Sequence, residues 1–469
     1  FLINKKNLFL ATNTGSIYYH FSKNKSVFIF ASEKFILEEL LNKKNLNNFF
    51  DNKDVFHLEA FEAMEVNIDL INLDKYNLLD KRIHTKEIDI ELPKTTHNEF
   101  ELNDYSSNSV NLKRCKRCIL PETYPYMDFN EKGICRYCRN HKSFSKNKES
   151  ELERILNKYR SNNKKPDCIV ALSGGRDSCY GLHYLKTKLN MNPIAFTYDW
   201  GFVTDLARRN AARLCGKLGV ELIIRSPNIN SKRSFVRKNV KAWLKQPELG
   251  MIPLFMAGDK AFFYHANQLK KQTGIKLVIF CSGNSMESAY YKYGFSGLRS
   301  GDESATLTDL SFSGKVGLLN YYLKNFIKNP RYINNSLIDS AAGYFHAFIG
   351  KDKPLALYKY VPWEEDKIVS TIISEYDWET SPETETTWRI GDATAAFYNY
   401  IYSTMAGFTE DDDMLSNMVR EKYITREEAL KRSKIYSKPR YDAIKEYLEM
   451  ISLNFNETLN TINSAPKLY

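Results

Sequence analysis

The stretch that most constrains this chain is Asp167–Ser178, which reads Asp-Cys-Ile-Val-Ala-Leu-Ser-Gly-Gly-Arg-Asp-Ser. An apolar run of buried-strand length passes into Ser173-Gly174-Gly175-Arg176-Asp177-Ser178, and a helical pattern follows. Two glycines let the backbone turn sharply and bring its N–H groups close to an anion. A helix opening at Ser178 points its positive end at the same place. Two hydroxyls and one carboxylate flank the turn, a set suited to phosphate oxygens and a magnesium ion. The pattern is not the Gly-x-x-x-x-Gly-Lys-Ser/Thr loop of kinases and GTPases.

The residues after the turn predict the fold around it. Strand 168–172 leads to a helix with Leu182, Leu185 and Leu189 on one face. Strand 193–199 leads to a helix with Ala207, Ala211, Leu214 and Leu218 at helical period, and strand 221–226 follows. A helix near 258–272 precedes strand 277–281, which ends in Ser282-Gly283-Asn284-Ser285-Met286-Glu287. Such alternation predicts an α/β fold with a parallel sheet. Ligands of these sheets bind beyond the carboxyl ends of the strands. One site is therefore expected to collect Ser173–Ser178, Asp199, Gly283, Asn284 and Glu287.

Cys115-x-x-Cys118 and Cys135-x-x-Cys138 stand sixteen residues apart, a spacing that lets two thiolate pairs converge on one tetrahedral zinc. With four cysteine ligands no position is left for water, so the ion is expected to staple and not to catalyse. His141 follows closely and is expected to be solvated. The other four cysteines, Cys168, Cys179, Cys215 and Cys281, lie singly in apolar segments, which fits a reducing cytoplasm and not a disulfide framework.

At 469 residues several domains are expected. Residues 1–95 alternate short apolar strands with polar turns, with a helix bearing Phe35, Leu37, Leu40 and Leu41. Residues 96–113 read as a linker, 114–142 as the zinc module and 143–165 as a connecting helix. Residues 166–300 form the parallel-sheet domain, and 301–469 are mostly helical, with Thr425-x-x-Glu428 as a capping box. The first residue is Phe1, and the chain is expected to begin inside a longer protein. No apolar run approaches eighteen residues, so no membrane partner is expected. The net charge of +11 is spread over dispersed lysines and not gathered into a basic stripe.

The turn resembles the PP-loop of the N-type ATP pyrophosphatases, a HUP-like fold. Residues 114–435 as a whole resemble the N-acetyl sugar amidotransferase family of bacterial O-antigen and pseudaminic-acid type pathways. The likeness rests on the two C-x-x-C pairs, Ser173–Ser178, Ser282-Gly283-Asn284 with Glu287, Trp388-Arg389, and Ile424–Leu430. Phe30-Ala31-Ser32-Glu33 and its flanking strands resemble the later half of a class II glutamine amidotransferase domain. The resemblance implies ATP, Mg2+ and Zn2+ as cofactors, a sugar or nucleotide-sugar acceptor, and ammonia from a glutaminase domain or subunit. It implies that Ser173–Ser178, Gly283 and Asn284 bind the nucleotide and that Asp199 faces adenosine. Asp177 and Ser173, with Glu287 orienting the substrate or taking a proton, are the catalytic candidates. Arg176 and Arg389 are candidates for anionic groups, and Trp388-Arg389 belongs to an unusual segment, Trp378–Arg389, expected to face the substrate. Lacking an N-terminal cysteine, the chain is expected to use ammonium and not glutamine alone. A tRNA-modifying enzyme, a thiolase or lysidine-type synthetase, is the alternative; a thiolase would need a reactive cysteine, of which Cys179 lies nearest the turn.

Overall fold

Cys168–Ala171 is an apolar tetrapeptide buried almost throughout, as an inner strand of a parallel sheet must be. The computed structural model describes residues 2–4, 6–43, 46, 50, 52–78, 112–143, 148–161, 165–284, 286, 290–298, 311–348 and 354–469. Most of the expected linker, and Glu287, lie outside the described residues. Two compact units are present: Phe1–Asn108 with Ala212–Glu221, and Ser109–Ala211 with Leu222–Tyr469.

The first unit is antiparallel. Strands β1 (Leu2–Asn4), β2 (Asn7–Thr12), β6 (Glu62–Asn67) and β7 (Leu73–Asn77) form one sheet in that order. Strands β4 (Phe28–Ala31), β3 (Ile17–Phe21) and β5 (Phe56–Leu58) form a second, and helix α1 spans Lys34–Leu41. Leu8, Leu10, Tyr19, Leu58, Met64 and Val66 make its core, drawn from both sheets. The period-two alternation of β2 supplies that face: Leu8 and Leu10 are buried while Phe9 and Ala11 point outward.

The second unit is α/β. Its sheet runs in the order β10 (Leu222–Arg225), β9 (Pro193–Tyr198), β8 (Cys168–Ala171), β11 (Leu277–Phe280) and β12 (Leu355–Ala356). Every pairing is parallel, with Cys168 opposite Pro193 on one side and Leu277 on the other. The strand order departs in both directions from β8, so the crevice at its carboxyl end is the switch point where such sheets bind ligands. Between the strands lie α4 (Arg176–His183), α5 (Asp205–Leu218), α6 (Ile229–Trp243) and α7 (Ala261–Thr273). Two residues of the region expected to be helical, Leu355 and Ala356, join the sheet as β12; a two-residue strand has no periodicity to read.

The remainder is helical, as expected. Within it are α9 (Phe312–Lys328), α10 (Ser336–Phe348), α11 (Glu365–Tyr376), α12 (Ala395–Ala406), α13 (Glu410–Arg420), α14 (Arg426–Tyr436), α15 (Tyr441–Met450) and α16 (Phe455–Asn463). The hydroxyl of Thr425 accepts the Glu428 N–H at 3.2 Å and so starts α14 as its pattern predicts. The cysteine module contains only one short helix, α2 (Arg136–Arg139), and two further short helices, α3 (Glu149–Leu156) and α8 (Tyr290–Gly294), lie outside it.

Candidate functional site

The turn after β8 is built by its own side chains. Ser178 Oγ accepts the Ser173 N–H at 3.1 Å and donates to the Gly175 carbonyl at 2.9 Å, which closes the loop on itself. Ser173 Oγ sits 3.1 Å from Ser178 Oγ, and Ser173 is the exposed member of the pair. Gly174 has φ +77°, and a Cβ there would lie 2.0 Å from the Ala207 carbonyl oxygen of α5. Only glycine fits, because the backbone is left-handed and a helix approaches it directly. Gly175 caps α4, whose first N–H groups have no intrahelical acceptor, and Asp177 lies in that first turn.

Three indoles and one arginine brace this turn. Trp378 Nε1 donates to the Gly174 carbonyl at 3.1 Å, and Trp363 Nε1 donates to Asp177 Oδ1 at 2.8 Å. The Tyr358 hydroxyl donates to the Asp177 carbonyl at 2.8 Å. Arg176, expected to meet an anionic group, is buried instead. Its guanidinium bonds Glu365 and Thr387 and lies 5.2 Å from the ring centre of Trp363 and 5.0 Å from that of Trp388. A planar cation stacked between indoles and paired with a carboxylate holds its helix in place. The Trp378–Arg389 segment thus packs on the turn through Trp378, Thr387 and Trp388.

Asp199 is buried at the end of β9. Its carboxylate accepts the Gly201 N–H at 3.0 Å and Arg208 Nε at 2.7 Å, which orders the loop leading to α5. Gly283 has φ +89° just past β11, and Asn284 Oδ1 accepts the Met286 N–H at 2.9 Å. Ser173–Ser178, Asp199, Gly283 and Asn284 therefore all follow the carboxyl ends of three adjacent strands, β8, β9 and β11, as expected.

The four cysteine sulfurs lie within 4.8 Å of one another, with Cys115–Cys138 at 3.9 Å and Cys118–Cys135 at 3.7 Å. An ion about 2.3 Å from four tetrahedral thiolates holds them about 3.8 Å apart. A cubane iron–sulfur cluster gives each thiolate its own iron and spreads the sulfurs to roughly 6 Å. The donor set therefore fits one tetrahedral ion. Backbone N–H groups of Arg117 and Cys135 point at Cys115 Sγ from 3.3 and 3.2 Å, as thiolate ligands require. His141 is not solvated; it meets Glu421 at 3.0 Å.

Sequence reasoning missed the element that joins these parts. Helix α13 opens with Thr409-Glu410-Asp411-Asp412-Asp413, four consecutive acids, all buried. Glu410 accepts from Tyr291 at 2.8 Å, Lys292 at 3.1 Å and Tyr398 at 2.6 Å, and also from Trp388 Nε1 and Arg389 Nε. Arg389 itself has a left-handed backbone, φ +46°. Asp412 meets Arg114 at 2.9 Å and the Thr409 N–H at 2.8 Å, and Asp413 accepts the Tyr124 hydroxyl at 2.8 Å. Arg420, at the other end of α13, reaches Cys118 Sγ at 3.4 Å, while Arg426 bonds the Cys115 and Cys118 carbonyls, both at 3.0 Å. A continuous set of contacts thus runs from the cysteine module through α13 to Trp388 and Arg176. The Thr409-x-x-Asp412 capping pattern was the available signal for the helix start; a run of acids alone reads as a solvated face.

Burial alone would raise the Glu410 carboxyl, but Arg389, Lys292 and the two tyrosine hydroxyls outweigh it and hold it below the usual carboxylate range. Asp411 moves the other way, pushed up to about 7 by burial and by the Glu410 charge. The signs oppose. A depressed Glu410 contributes stability above its ordinary value of 4.5 that is lost on acidification. A raised Asp411 contributes stability fully present below its ordinary value of 3.8, and this is lost as pH rises through about 7. The thermal midpoint is therefore expected to rise as pH is lowered from 8 to about 5, then fall below about 4. Asp411→Asn should flatten the first limb and leave the second, as thermal melts across that range would register; an unchanged first limb would reassign it.

The fold and site define a parallel α/β protein with a glycine-rich strand-to-helix turn at the switch point of its sheet and a four-cysteine module packed on the same unit. No family model matches the chain. A 115-residue stretch, 24% of this chain, is 30% identical to an uncharacterized protein of Methanocaldococcus jannaschii and spans 42% of that relative's length. Among solved structures, the NH3-dependent NAD synthetase from Campylobacter jejuni aligns over 44% of this chain and 94% of its own, at 16% identity and a TM-score of 0.21. The U34-tRNA thiolase NcsA from Methanococcus maripaludis, with its [4Fe-4S] cluster, aligns over 72% of this chain and 88% of its own, at 13% identity and a TM-score of 0.25. Likeness at those TM-scores carries no weight for function, which is read from this chain's own residues.

Proposed function

We propose that this chain is an ATP-dependent amidotransferase that activates an acetamido or carboxyl oxygen of a sugar or nucleotide sugar, in bacterial surface-polysaccharide synthesis. The observation carrying this reading is the closed Ser173–Ser178 turn, with Gly174 left-handed beneath α5 and Asp177 in the first turn of α4. The turn is suited to hold the β and γ phosphates of ATP. The acceptor oxygen attacks the α phosphorus, the bond to pyrophosphate breaks, and pyrophosphate leaves. Ammonia then attacks the activated carbon and AMP leaves, giving an amidine or an amide. Magnesium, when bound, would neutralise charge on the departing pyrophosphate, with Asp177 and Ser173 the residues to meet it. Zinc on Cys115, Cys118, Cys135 and Cys138 is structural in this reading. Ammonia comes from a glutaminase domain or subunit, and the first unit is proposed as part of such a domain. Glu287 keeps its proposed role beside the acceptor. Arg389, whose side chain is 34% exposed, is the cation proposed to face the acceptor.

Asp177→Ala should lower AMP formation roughly 10² to 10³-fold, the scale for removing one preorganised electrostatic contact. Asp177→Asn keeps an acceptor for Trp363 Nε1 but removes the charge, and should be nearly as impaired. Near-normal AMP formation in the asparagine variant would reduce Asp177 to a brace and remove its catalytic part.

The tRNA reading draws on the net charge of +11. Against a thiolase, burial pushes the Cys179 thiol up to about 12, which leaves it unreactive. Tight tRNA binding with a steep salt dependence, and none to sugar nucleotides, would replace the amidotransferase reading.

A further inference from the structure

Helix α9 carries its apolar face outward. Phe312, Val316, Leu319, Leu323 and Ile327 are 83, 40, 59, 48 and 79% exposed. At 3.6 residues per turn these five fall within an arc of roughly 80°. The face turned to the protein holds Gly314, Leu318 and Asn325. The part-buried Tyr321 and Tyr322 lie on that inner side too, so the helix is apolar on both faces, where a surface helix of a globular protein exposes a polar one. Contiguous apolar surface of this kind marks a contact with something else.

Charge says what that contact is. From Phe312 to Ile338 there is no Asp or Glu, while Lys315, Lys324, Lys328 and Arg331 are all basic. On the helical wheel Lys315 flanks the apolar arc on one side and Lys324 on the other. A second copy of the chain would bring these lysines against one another with no acid between them. Five side chains of one helix also fall short of the roughly 800 Å² per partner of a stable protein interface. An anionic bilayer surface fits both halves of the pattern. Its headgroup boundary takes the apolar face, its phosphates meet the flanking lysines, and long lysine stems let the charges stay in water while the arc is buried. No helix among the described residues is long and apolar enough to cross a membrane, and a helix lying in the interface needs no such run. The absence of a spanning run in the sequence leaves this arrangement open.

We propose that α9 seats this chain on an anionic membrane surface, parallel to the bilayer. The inference stands apart from the reading of the turn, since it uses none of its residues. The test is flotation of the full chain with vesicles of phosphatidylcholine alone and with vesicles carrying phosphatidylglycerol, at low and high salt. Binding to the anionic vesicles is expected, weakening as salt is raised. Leu319→Glu with Leu323→Glu should reduce the floated fraction at least about tenfold, since a charge is driven into the buried arc. Lys324→Ala with Lys328→Ala keeps the apolar arc and should erase most of the preference for anionic over neutral vesicles, a readout that does not depend on how the glutamate pair folds. Absence of flotation on anionic vesicles, or equal flotation of the glutamate pair in folded form, overturns the proposal. A concentration-dependent dimer that the glutamate pair disperses, with no lipid binding, assigns this face to a second copy and overturns it as well.

Discussion

Chelating the zinc proposed for the cysteine module is expected to unfold residues 114–142 and to loosen the helices packed on them. Structural zinc binding is worth about 10–16 kcal/mol in small peptide sites at neutral pH, and that energy is folding energy. The module has little regular structure of its own, with Arg136–Arg139 its one short helix, so its fold depends on the ion and on its contacts with α13 and α14. The four sulfurs are buried, so without an ion their thiols would be crowded into a space of metal-site dimensions. Arg420 and Arg426 reach Cys118 Sγ and the Cys115 and Cys118 carbonyls, so the disorder would pass directly to α13 and α14. Cys118→Ser should therefore lower the stability of the second unit by several kcal/mol, and AMP formation should fall with it through lost bracing of the turn. Metal analysis alongside denaturant unfolding checks this; the expected content is one zinc per chain. A folded, fully stable chain after chelation, or iron in place of zinc, would contradict the assignment.

Glu410→Ala is the second large effect. The substitution removes the acceptor of five donors, Tyr291, Lys292, Trp388, Arg389 and Tyr398. Lys292 is buried, so its ammonium would be left in a low-dielectric site without its carboxylate. Breaking a buried ion pair by deleting one partner costs about 3–5 kcal/mol, because the orphaned charge remains. Glu410→Gln restores shape and one acceptor oxygen but not the charge, and should recover less than half of the loss. The shift in denaturant midpoint at neutral pH gives the measurement. A loss under about 1 kcal/mol would mean that Lys292 and Arg389 find other partners and that α13 is not the keystone described.

The parts of this molecule that were legible in sequence are local ones. Strands β8, β9 and β11 show because inner strands of a parallel sheet are short continuous apolar runs with turn residues at their ends. The cysteine pairs show because a chelate needs fixed spacing, and the turn shows because glycine, serine and aspartate are demanded within six positions. What did not show is long-range. Trp363 lies 186 positions from Asp177 and Trp378 lies 204 from Gly174, so no periodicity or motif near either residue announces the contact. Arg176 reads in sequence as a cation for an anionic ligand for the same reason: its cage is made by Trp363, Glu365, Thr387 and Trp388, all far along the chain. The acids of α13 carry a misleading signal, since four consecutive carboxylates are solvated unless a fold supplies cations and hydroxyls to each, as Lys292, Thr386, Arg114 and Tyr124 do here.

On the function proposed, ATP bound at the Ser173–Ser178 turn loses pyrophosphate and not its γ-phosphate. The most direct measurement incubates the purified chain with ATP, magnesium, ammonium and a panel of nucleotide-linked acetamido sugars, and resolves the nucleotide products. AMP with an equal amount of pyrophosphate, dependent on one acceptor and lost in Asp177→Asn, is the predicted result. ADP with inorganic phosphate as the sole products would contradict it.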